Sequence, residues 1–154
     1  MTMAITVLDG HDQVVAAVGQ HLGYSDWLLI DQHRVNEFAD ATGDHQWIHV
    51  DVERATAGIF GGPIAHGYLT LSLSNFFLPQ IVEVTGFAAG LNYGTNRVRF
   101  VEPVLVGARI RAGAELTNVI DVPGGLQTTM TLTVEIEDAS KPACVIESIS
   151  RWLH

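Results

Sequence analysis

The sequence predicts an α+β domain with an antiparallel sheet, and three observations carry that expectation. Helical periodicity is confined to the first half of the chain, while from Leu91 onward the chain reads as consecutive strands separated by turn signals. One of those strands alternates without interruption. Leu126, Thr128, Met130, Leu132, Val134 and Ile136 face one way, and Gln127, Thr129, Thr131, Thr133, Glu135 and Glu137 face the other, so one face suits a core and the other solvent. Finally, 154 residues is the length of one domain with a sizeable core, taken as 1–154, without a linker, repeat or low-complexity tract.

In chain order, Asp9-Gly10-His11-Asp12 opens a candidate helical extension over 9–22, with Val14, Val15, Val18 and Leu22 as its stripe and Gly23 as its stop. Trp27-Leu28-Leu29-Ile30 is a short apolar run that reads as a strand. Asp31 caps a second helix in which Val35, Phe38, Ala39 and Thr42 recur at i, i+3, i+4 and i+7. Thr42-Gly43-Asp44 stops it, and Asp51 reads as the N-cap of a new short helix. Gly58 to Pro63 is a turn-rich bridge. The stretch Ile64 to Leu78 is ambiguous by pattern. Leu69, Leu71 and Leu73 alternate with Thr70, Ser72 and Ser74 as in a strand, yet at 3.6 residues per turn Gly67, Thr70 and Ser74 form a small face on an otherwise apolar helix. Strands then follow around Asn96–Phe100, Ala108–Ala112, the long alternating run, and Cys144–Leu153, with turns at Pro123-Gly124-Gly125 and Asp138 to Pro142.

Hydrophobic residues make up 47% of the chain and charged residues only 16%, which favours a homo-oligomer that covers apolar surface with a second subunit. A formal charge of −9 argues against non-specific nucleic-acid binding and obliges any anionic ligand to find a local basic pocket. No apolar span reaches membrane length, and Met1-Thr2-Met3-Ala4-Ile5 has no basic region of a signal peptide. The single cysteine, Cys144, excludes an internal disulfide; a cytoplasmic location fits.

The chemistry centres on Ala41 to Ala55, where Asp44 and His49 stand five positions apart on a connection between elements. Spacing alone allows two readings: a turn-capping Asp beside an ordinary polar His, or an acid–base pair. His45 beside Asp44 reads as a bystander. Metal binding is not expected, because His45 and His49 lack the Glu of a zinc-protease helix motif and Cys144 is distant. Neither a nucleophile elbow nor a dinucleotide fingerprint occurs.

Gly43-Asp44, Ile48-His49 and the acidic, alanine-containing helix start after them resemble the signature of the MaoC-like, (R)-specific enoyl-CoA hydratase family. Gln46-Trp47 replaces the family's Asn-Pro, as in its nodulation-protein-N-like branch, and the resemblance runs from Trp27 to the C-terminus. It implies the hotdog fold, in which the Ile64–Leu78 segment is a long central helix wrapped by the antiparallel sheet. It also implies an activity: a hydro-lyase adding water to trans-2-enoyl-CoA to give (3R)-3-hydroxyacyl-CoA by syn addition, with Asp44 and His49 as the acid–base pair. His66-Gly67 matches the family's His-Gly at the start of the central helix, which places the Gly67 N–H at the thioester oxygen. His66 reads more as a hydrogen-bonded structural residue. Asn75 stands where relatives carry a small hydroxyl residue lining the pocket. No cofactor is implied, since the coenzyme A thioester is itself the substrate, and the expected partners are acyl-CoA and a second copy in a homodimer.

Four of the eight basic residues, Arg97, Arg99, Arg109 and Arg111, cluster on adjacent strands. They read either as a landing site for coenzyme A phosphates, with Arg97 and Arg99 foremost, or as a solvated face paired with acids such as Glu135 and Glu137. Two rival functions share the fold: an acyl-CoA thioesterase, and a non-catalytic acyl-thioester-binding partner subunit. The absence of a carboxylate from His66 to Leu78 disfavours the first, and retention of Asp44 and His49 weighs against the second.

Overall fold

The computed structural model describes residues 3–154; Met1 and Thr2, the start of the stretch read for a targeting signal, lie outside the described residues. The elements are β1 (Thr6–Asp9), α1 (Gly10–Ala16), β2 (His21–Tyr24), β3 (Leu28–Leu29), α2 (Gln32–Thr42), α3 (Trp47–Val50), α4 (Val52–Thr56), α5 (Gly67–Ser72), α6 (Ser74–Ile81), β4 (Val82–Thr85), β5 (Ala89–Phe100), β6 (Arg109–Val122), β7 (Gly125–Ile136) and β8 (Cys144–Leu153). The six-stranded sheet runs β2-β6-β7-β8-β5, with β3 also on β6, and its pairings are all antiparallel. A separate parallel pair joins β1 to β4.

The alternation of β7 appears in space as read. Leu126, Thr128, Leu132 and Val134 are fully buried, Met130 is nearly so, and the opposite face carries half-exposed polar residues except at Thr129, which is buried. The buried face meets Leu69 of α5, Leu73 between the helices, and Phe77 and Ile81 of α6 in one apolar cluster, together with Ile110, Leu116 and Ile146. Burial of an aliphatic or aromatic side chain contributes about 1.5–3 kcal/mol, so this helix–sheet contact is the main source of stability. Cys144, fully buried in the same cluster, has its thiol pushed up to about 11 by burial.

Three local expectations need correction. The helix over 9–22 ends at Ala16. Gly19 turns the chain at φ 85° while its N–H reaches Leu116 O at 2.7 Å, and residues 21–24 pair with β6 instead. Sheet pairing offered those backbone groups partners that helix extension would have denied them, and Val15 and Val18 of the supposed stripe are exposed. The long central helix is in two pieces joined at Leu73 (φ −68°, ψ −7°). Pro79 weakens the second piece, since it has no N–H to give the Asn75 carbonyl. The Ala108–Ala112 strand is part of a longer one, reaching Val122.

At the far edge of the sheet, β5 is exposed along nearly all its twelve residues, including Leu91, Tyr93 and Phe100. Among the described residues it pairs only with β8.

Candidate active site

Local rules bring the chain to the site. Asp31 caps α2 by accepting from the Arg34 N–H at 2.9 Å. Gly43 ends the helix in the left-handed region at φ 79°, with its N–H on Ala39 O at 2.8 Å. Asp44 follows on the exposed connection, its Oδ1 accepting from the Gln46 N–H at 3.3 Å. His49 sits not in a plain loop but on the single helical turn α3, and it is 6% exposed. Asp51 then caps α4 through the Arg54 N–H at 3.1 Å.

Besides the Ile64 N–H to Ile48 O bond at 3.0 Å, three hydrogen bonds between side chains and main-chain carbonyls tie this segment to its neighbours. His49 Nδ1 lies 2.6 Å from the Ile64 carbonyl, Gln32 Nε2 donates to the His49 carbonyl at 2.8 Å, and His66 Nε2 lies 2.9 Å from the Asp44 carbonyl. A carbonyl only accepts, so the proton of neutral His49 is on Nδ1 and its Nε2 is left as an acceptor. Burial holds His49 below its ordinary pKa; the Ile64 bond opposes this, the nearby His66 adds to it and Asp44 opposes it. The His49 and His66 rings stack at 3.8 Å with planes 23° apart.

One ligating atom from each of Asp44, His49 and His66 falls within a 4.8 Å set. Two hydrogen bonds of about 2.8 Å meeting at a water's roughly tetrahedral angle span about 4.5 Å, so one water fits between Asp44 and His49. The same trio suits a metal ion poorly. Stacked, nearly parallel imidazoles send their lone pairs along separate planes that do not converge on one ion.

His49 opens onto a cavity of ≈ 370 Å³ that Phe60, Gly67, Thr70, Phe100 and Glu102 also line. Gly67 is the first residue of α5, so its N–H has no intrahelical acceptor. A Cβ built there would stand 3.1 Å from the Phe100 ring. The structure thus brings together Asp44, His49, His66 and Gly67.

It does not bring the others to that cavity. Asn75 lines two spaces of ≈ 410 and ≈ 320 Å³ further along α6, beside Asn92. Arg97 and Arg99 lie exposed on β5 and form no ion pair among the described residues. Arg109 and Arg111 instead pair with Glu137 and Glu135, each at 2.9 Å, and Arg111 also lies over Tyr24 and Trp27. His45 bonds Asp40 at 2.9 Å, which raises its pKa, and points its ring chemistry at that acid. Sequence reasoning missed Gln32, the Ile64 carbonyl, Phe60, Phe100 and Glu102. Only Thr70 had a signal, in the small-residue face of the central helix.

The chain matches the model of the MaoC like domain over residues 13–139. It is 53% identical to 3-hydroxyacyl-thioester dehydratase Z of Mycobacterium tuberculosis over 91% of this chain and 93% of that one. It is 49% identical to nodulation protein N of Rhizobium leguminosarum bv. viciae, covering 84% and 83%. Among solved structures, an (R)-hydratase from A. caviae involved in PHA biosynthesis superposes with a TM-score of 0.72 at 26% identity, covering 86% of this chain and 94% of that one. The arrangement of α5, α6 and the antiparallel sheet is therefore the hotdog fold.

Proposed function

This chain belongs to the MaoC-like domain family as a hydro-lyase of the dehydratase type, and on that premise we propose that it interconverts trans-2-enoyl-CoA and (3R)-3-hydroxyacyl-CoA. The observation that carries the reading is the Asp44–His49 pair, close enough to share one water, with His49 held in the tautomer that leaves Nε2 free to accept. In the hydration direction the water oxygen adds to C3 as its O–H bond breaks. The departing proton passes through the pair to C2 on the same face, so the addition is syn. The Gly67 N–H, without an acceptor of its own, meets the negative charge that develops on the thioester oxygen. No step needs a cofactor.

Two further parts belong to the proposal. The enzyme is a cytoplasmic homodimer that pairs or covers β5, and among the described residues no helix is long and apolar enough to cross a membrane. Arg97 and Arg99, free of acidic partners, contact the coenzyme A phosphates. A thioesterase on this fold is disfavoured by the lack of any carboxylate between His66 and Ile81.

Loss of enoyl absorbance is the test, with crotonyl-CoA and a longer homologue as substrates and chiral analysis of the product. A (3R)-hydroxyacyl product is expected. Release of free thiol without hydration would overturn the reading in favour of hydrolysis.

A further inference from the structure

Two buried side-chain atoms among the described residues have no hydrogen-bond partner, and one of them is His66 Nδ1. Its ring is 2% exposed. Because Nε2 faces the Asp44 carbonyl at 2.9 Å, the ring proton is on Nε2 and Nδ1 keeps its lone pair. A second proton would have to enter at Nδ1, in the interior, with His49 stacked at 3.8 Å and Phe38 tilted against the ring at 4.9 Å.

Asp44 is exposed, and its remaining hydrogen bonds are long: Gln46 N–H to Oδ1 at 3.3 Å and its own N–H to Thr42 Oγ1 at 3.5 Å. The bond from His66 is the one of ordinary length. Its ring also stacks on the face of His49. One side chain, placed at the entry to the central helix, therefore touches both members of the pair.

We propose that His66 is a positioning residue that sets the separation of Asp44 and His49, fixing the first through its Nε2–H and the second through its ring face. This rests on the hydratase reading of that pair. The titratable groups that act on His49 are Asp44, from the connection after α2, and His66 itself, while Glu102 lines the same cavity; α2 presents Phe38 and Gln32, which do not titrate.

The test has two arms. Long-range proton–nitrogen spectra of the wild-type histidine rings should show His66 as the Nε2–H tautomer and His49 as the Nδ1–H tautomer. In the kinetic arm, His66→Gln keeps a donor at similar reach and His66→Phe keeps a ring face without a donor. The Phe variant should lose about 10–100-fold in kcat, as expected for a small misplacement of reacting groups, with little change in KM. The Gln variant should recover most of that loss. Its acid limb should move to higher pH, because the neighbour that opposes a proton on His49 is gone. Equal losses in both variants, matched by equal falls in Tm, would reduce His66 to packing, and a His66 that carries its proton on Nδ1 would also overturn the proposal. If the wild type hydrates no enoyl thioester, the functional reading fails instead, and the tautomer spectra alone decide whether His66 clamps as described.

Discussion

His49 and Ile64, fifteen residues apart in sequence, are joined by a 2.6 Å hydrogen bond from the imidazole Nδ1–H to the main-chain carbonyl. Burial favours the neutral ring and outweighs the bond, which favours the charged one, so the folded-state pKa lies below the ordinary 6.5. The unfolded chain consequently binds a proton at this site more readily than the native one. Stability from His49 is fully present above about pH 6.5 and is lost as pH falls through the folded pKa. Thermal unfolding followed from pH 8 to pH 5 should show this decline, and His49→Gln should flatten it. An unchanged slope in the variant would assign the decline to other groups.

Asp44 and His49 should fail as a unit. Asp44→Asn and His49→Ala should each lower kcat by about 10²–10⁴-fold, the range for positioned acid–base groups. The double variant should be scarcely worse than the poorer single one, since each is useful only while the other holds the water. Asp44→Asn should move Tm little, because Asp44 caps no helix and contributes one long hydrogen bond through its carboxylate. Near-normal turnover in that variant would refute the mechanism.

Two glycines should separate folding from chemistry. A Cβ on Gly125 would stand 1.8 Å from the Trp152 carbonyl oxygen, where neither strand can yield. Gly125→Ala should cost at least the upper end of the about 1–3 kcal/mol typical of overpacking, read as a fall in denaturation midpoint. On Gly67 the clash is with the half-exposed Phe100 ring at 3.1 Å, which can swing aside. Gly67→Ala should therefore keep most of its stability and lose turnover. Comparable losses of stability in both variants would contradict this division.

The arginines on β5 make a substrate-level prediction. Arg97→Ala or Arg99→Ala should raise KM for coenzyme A thioesters more than for pantetheine analogues, because a remote phosphate contact is lost equally from ground and transition states. Arg109→Ala, which removes an ion pair with Glu137, should leave both KM values unchanged. If the two substrates respond alike to Arg97→Ala, the residue belongs to the solvated surface.

The exposed length of β5 predicts a dimer at micromolar concentration by light scattering. An unpaired strand presenting Leu91, Tyr93 and Phe100 would otherwise invite non-specific association. A stable, folded monomer would exclude it.

What the sequence made legible was local. The caps at Asp31 and Asp51 and the stop at Gly43 are readable because the residue that makes each bond is within four positions of the group it satisfies. The alternation of β7 is equally readable, since a period of two survives any tertiary context. The end of α1 was not readable, because the competing pairing of His21 with Glu115 lies on a strand nearly a hundred residues away. Asp44 and His49 stood out by residue type. Their supports did not: the Ile64 and Asp44 carbonyls are main-chain groups that any sequence would supply, and Gln32 acts through a contact seventeen residues distant. Asn75 lies on the central helix, but about two turns of rise separate it from Gly67, and it faces other spaces.

The buried thiol of Cys144 gives the protein an internal clock for its own opening. With no exposed surface and a pKa near 11, it is almost wholly protonated and shielded while β8 remains in the sheet. Unfolding frees it to the ordinary range, where alkylating reagents react with its thiolate. Because the chain has one cysteine, the mass of the labelled protein counts opening events without a second site to confuse it. Labelling rates at increasing reagent concentration would separate the rate at which β8 leaves the sheet from the fraction of time it is away.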